Sequence, residues 1–95
     1  MHDPVPPSSS PEPADAAAYQ DASDAVAQVI AWYSHQLLAE RRSPTPDPER
    51  LNRLIADQGE CVRDRARLED AEPAEVARVA ALYAARLKEL EATGL

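Results

Sequence analysis

The chain has 95 residues, enough for one small domain, and its ten basic against seventeen acidic side chains leave a net charge of −7. Acids exceed bases in both halves, six to two over residues 1–46 and eleven to eight over residues 47–95, which argues against a broad nucleic-acid face. The single cysteine, Cys61, excludes an intrachain disulfide, and no apolar run approaches the roughly 20 residues that cross a bilayer.

Residues 1–13, MHDPVPPSSSPEP, carry five prolines and no periodic apolar pattern, so a disordered, solvated tail is expected there. The segment lacks a P-x-x-P context with flanking basic residues, so a polyproline ligand is the weaker reading. Its prolines and acids do not resemble a signal peptide, and a reducing cytoplasm is the expected compartment.

The remainder, residues 14–95, reads as one helical domain. A first helix is expected over about 14–42, where Tyr19, Ala22, Val26, Val29, Ile30, Tyr33 and Leu37 recur on one side at helical spacing. Two bulky residues leave that stripe: Trp32 lies about 120° to one side and Leu38 about 100° to the other. One helix packing on a single partner cannot bury both. Ser43-Pro44-Thr45-Pro46 stops the helix and makes a short reversal.

A second helix is expected over about 48–70. Asp47 caps it, Pro48 suits its first position, and Glu49 complements the positive end of the helix dipole. Leu51, Leu54, Ile55, Cys61, Val62 and Leu68 form its apolar stripe, and this middle helix is expected to be the one on which the other two pack. Gln58 and Arg65 interrupt the stripe and need partners. Gly59 costs about 1 kcal/mol relative to alanine inside a helix, and either a close-packed helix or simple tolerance accounts for it.

A third helix is expected over about 73–92, opened by Pro73 and Glu75, with Val76, Val79, Ala80, Tyr83, Leu87 and Leu90 on its stripe. At an offset of fifty residues it echoes the first helix, Val26, Val29, Tyr33 and Leu37 recurring as Val76, Val79, Tyr83 and Leu87. An internal duplication would give this echo, but two helices packed on a common neighbour face the same constraint and converge on similar residues, and convergence is the preferred reading. Trp32 and Leu82 also correspond. The junction at residues 70–73 permits either a hairpin or one kinked rod. The fold class is thus all-α, a small antiparallel three-helix bundle with a long first helix.

Chemistry-bearing motifs are sparse. Gly59 and Gly94 cannot build a phosphate loop, and His2, His35 and Cys61 are too dispersed for metal-ligand spacing, so no metal or cofactor is expected. Cys61 on an apolar stripe reads as a small core hydrophobe, buried and unreactive. Glu69, Asp70 and Glu72 read as junction and capping acids. Leu37-Leu38-Ala39-Glu40-Arg41 resembles the LLxER of the first helix in small all-helical chorismate mutases. That family binds its dianionic substrate through an early arginine and a later lysine, whereas here no arginine or lysine precedes Arg41 and no lysine precedes Lys88, so no membership follows.

The expectation is a non-enzymatic helical protein-protein interaction module, a homo-oligomer or the partner of another protein, with Trp32, Leu38 and Leu82 as its contact surface. No direct nucleic-acid, membrane or small-molecule partner is expected. The alternative is a small acidic regulator or inhibitor, of the phage or mobile-element kind, that occupies a basic site on a nucleic-acid-handling protein.

Overall fold

The computed structural model describes residues 13–94, organised as α1 (Pro13–Arg42), α2 (Pro48–Arg67) and α3 (Pro73–Gly94). A 3₁₀ turn, Leu68–Asp70, prolongs α2 before the chain reverses at the extended Ala71 (φ −81°, ψ 147°). No strand occurs among the described residues. The tail expected over residues 1–13 lies outside them except for Pro13, which opens α1. α3 reaches Gly94, two residues beyond its expected end.

The start of α2 follows from local chemistry. The Asp47 carboxylate accepts hydrogen bonds from the backbone N–H groups of Glu49 (3.0 Å) and Arg50 (3.4 Å), and Pro48 occupies the first turn, where no donor is missed. Glu40 on α1 fixes the preceding loop from the other side. It accepts from the Asp47 N–H at 2.8 Å and from Arg50 Nε at 3.1 Å, while Arg50 Nη2 donates to Gln36 Oε1 at 3.2 Å.

Cross-helix bonds define how the helices run. As α2 advances from Arg50 to Gln58 to Arg65, its partners on α1 step back from Gln36 and Glu40 to Ile30 and Ser34 to Ser23, so α1 and α2 run in opposite directions. Between α3 and α2, Tyr83 reaches Asp64 and Arg86 reaches Cys61, again in reversed order. These contacts fold α3 back along α2. The hairpin, and not the kinked rod, is therefore the arrangement at residues 70–73.

The hub is α1 and not α2, which corrects the sequence expectation. α1 shares broad interfaces with both other helices, whereas α2 and α3 meet chiefly through long side chains. Five of the eleven buried apolar residues, Ala22, Val26, Val29, Tyr33 and Leu37, lie on α1. Its length and its small residues, Ala18, Ala22 and Ala25, let two neighbours approach closely.

A second correction concerns the α2 stripe. Leu54, Cys61 and Leu68 are buried, but Ile55 and Val62 are 47% and 51% exposed. Each follows a core residue directly and is therefore turned about 100° from it, beyond the arc that α1 and α3 cover. Gln58 and Arg65 each find a hydrogen-bond partner on α1. Gln58 Nε2 donates to the Ile30 carbonyl (3.1 Å) and Ser34 Oγ (2.8 Å), and Arg65 Nε donates to Ser23 Oγ (3.4 Å).

Candidate functional site

The densest group of chemistry-bearing side chains is inside the bundle, where α2 faces α3. Tyr83, on the inward stripe of α3, donates its hydroxyl to Asp64 Oδ2 at 2.5 Å, and the Arg86 guanidinium lies 5.0 Å from the Tyr83 ring centroid. Arg86 Nη1 also lies 3.9 Å from Cys61 Sγ. Burial pushes the Cys61 thiol up, and its contacts with Tyr83 and Arg86 only partly offset that rise. The Tyr83 phenol is raised by burial and by its bond to Asp64, and the Tyr33 phenol by burial and by the nearby Asp57. At neutral pH the thiol and both phenols are therefore protonated. Such groups hold helices together and do not supply an activated nucleophile.

Asp64 is a site residue that the apolar stripe of α2 does not mark, because a carboxylate among charged neighbours looks like part of a solvated face. Its position three residues after Cys61, near the edge of the inward arc, was the available signal. Cys61 is fully buried, as its stripe position implied.

Among the described residues, two surface clefts adjoin the α2–α3 turn. The larger, about 540 Å³, lies between the first turns of α1, the 3₁₀ turn and the start of α3, where Ala18, Tyr19, Leu68 and Val76 form an apolar floor between the acids Asp15 and Glu69. The smaller, about 140 Å³, follows the α2–α3 seam, with Leu68, Val79 and Leu82 among its walls. Two ion pairs border it, Arg67 to Asp64 at 2.9 Å and Arg78 to Glu75 at 2.5 Å. The hydrogen bond from Arg78 holds the Glu75 carboxyl below the usual range. No cluster of metal-ligating side chains occurs among the described residues.

The three expected surface residues occupy three different flanks. Trp32 is half-buried against the core, edge-on to Tyr33 at 5.2 Å between ring centroids and 86° between ring planes. Leu38 is 47% exposed and lies one turn beyond Ser34, on the α2 side of α1. Leu82, equally exposed, sits at the α2–α3 seam. The exposed Ile55 and Val62 were missed because the sequence places them next to core positions.

Comparison with known proteins returns no matching family, no matching curated protein and no matching solved structure. No helix among the described residues is long and apolar enough to cross a membrane.

Proposed function

We propose that the chain is a non-enzymatic protein-protein interaction module that associates with a second copy of itself in the cytoplasm. The observation that carries this reading is that Leu38, Ile55 and Val62 are each about half exposed along the flank of so small a bundle where α1 and α2 meet. Covering each would contribute on the order of 1 kcal/mol, a large share of the stability available to a three-helix domain. A second copy would cover such groups, and two-fold dimers are the commonest soluble oligomers. Sedimentation equilibrium on the full chain at micromolar concentration tests the reading: a dimer supports it, and a monomer throughout rejects it.

A second reading rests on charge. Glu69, Asp70 and Glu72 project from the α2–α3 turn into solvent, with the exposed Asp15 across the neighbouring cleft, so one end of the bundle is acidic. A regulator that occupies a basic site on a nucleic-acid-handling protein would use that end. Mixed signs elsewhere, including the Arg67–Asp64 pair on α2 and the Arg50–Glu40 pair between α2 and α1, make the rest of the surface a poor anionic mimic.

A further inference from the structure

α1 and α2 each carry a second stripe that neither α3 nor the other covers, and the bond from Gln58 to Ser34 sets the two side by side. On α1 the stripe comprises Asp24, Ala27, Ala31, Leu38 and Arg41, which share the flank of Ser34 at helical spacing. On α2 the half-exposed Ile55 and Val62 lie three residues before and four after Gln58, with Gly59 between them. Glycine lowers helix propensity, and the chain's own packing does not require it here. A Cβ at Gly59 would meet only Arg63 Nη1, at 3.6 Å.

We propose that this α1–α2 face binds a second copy of the chain about a two-fold axis that sets α1 against α1 and α2 against α2 in reversed direction. The proposal rests on the self-association argued above and adds the surface and the register.

Charge complementarity selects the occupant. Asp24 and Arg41 are both exposed and stand near opposite ends of the α1 stripe, so a reversed copy places Asp24 against the partner's Arg41, and the symmetry makes the pair twice. The same reversal sets Ala27 against the partner's Leu38 and Ala31 against the partner's Ser34. Large thus meets small.

The register on α2 then follows without further choice. The axis crosses α1 between Trp32 and Tyr33, within the span of α1 that Gln58 grips through Ile30 and Ser34, so on α2 it passes close to Asp57. Ile55 then faces the partner's Gly59, whose missing side chain leaves the space that a branched residue fills. Asn52 faces the partner's Val62. The charges of one helix and the notch of the other therefore specify one common axis. A face two helices wide and about 25 Å long buries on the order of 1,000 Å² in total, the lower end for a specific contact.

Sedimentation equilibrium on the full chain and its variants tests this, with helix content followed by circular dichroism. Asp24→Arg and Arg41→Asp should each weaken the dimer at least tenfold. The double variant Asp24→Arg/Arg41→Asp should recover it to within about threefold, because the two sites lie too far apart along one helix to compensate within a chain. Gly59→Leu should dissociate the dimer while leaving the unfolding midpoint of the monomer unchanged or raised, and Leu82→Ala should leave the dimer intact. A wild-type dimer that survives Gly59→Leu and both single reversals overturns this face and leaves self-association standing. A wild-type monomer overturns both.

Discussion

Gln58 on α2 reaches across to α1 and donates both to Ser34 Oγ at 2.8 Å and to the Ile30 carbonyl at 3.1 Å. The second bond fastens α2 to the α1 backbone and so does not depend on any α1 side chain. With Arg50 above it and Arg65 below it, Gln58 sets the register of the two helices. Gln58→Ala removes both bonds and should cost about 1–2 kcal/mol in urea unfolding. An unchanged midpoint would mean that water replaces the amide without loss.

Gly59→Ala should act in the opposite sense. The added Cβ meets only the flexible end of Arg63 at 3.6 Å, an ordinary contact, so the gain in helix propensity is realised at about 1 kcal/mol in the monomer. Thermal unfolding at a concentration where the chain is monomeric checks this, and a lower midpoint would contradict it.

Tyr83 and Cys61 tie stability to alkaline pH. Both groups, with Tyr33, have folded-state pKa values raised by burial, so the folded chain holds their protons more tightly than the unfolded chain does. That contribution is complete below the unfolded values and is lost as pH rises through the folded ones. Stability should therefore be level near neutrality with respect to these groups and fall from about pH 8.5, as the unfolded thiol and then the unfolded phenols ionise. Urea unfolding between pH 7 and 10.5 checks the sign. Tyr83→Phe should reduce the slope above pH 9.5 and cost about 1 kcal/mol at neutral pH through the lost bond to Asp64.

Cys61 should resist thiol reagents in the native state, since it is fully buried and its pKa is raised. Modification should proceed only through opening of the bundle and accelerate with denaturant. Cys61→Ala should destabilise the fold by about 1 kcal/mol without changing self-association. A native-state rate close to that of the unfolded chain would refute this.

The elements were legible where local chemistry decides them. Asp47-Pro48-Glu49 announced α2 through its cap, and Pro73 announced α3, because those signals act within one turn. The arrangement was less legible. An apolar stripe reports which side of a helix faces inward but not how many neighbours share that side, so the richer pattern of α2 drew attention from the alanine-rich α1 that is the hub. Ile55 and Val62 show the same limit. In the pairs Leu54-Ile55 and Cys61-Val62 both residues suit a wide stripe, and only the positions of α1 and α3 decide that the first of each pair is buried. Trp32 stands off the stripe of its own helix, yet it is half-buried against the core, and that depends on where the other helices lie and not on its adjacency to Tyr33. Likewise, the Tyr83–Asp64 bond joins residues whose proximity depends on α3 folding back along α2.

The central claim is that the bundle is completed by a second copy of the chain, and sedimentation equilibrium of the wild-type chain at several loading concentrations tests it most directly. The account predicts a reversible monomer–dimer equilibrium, shifted to monomer by Asp24→Arg and back to dimer by adding Arg41→Asp. A single species of monomer mass at every concentration would contradict it.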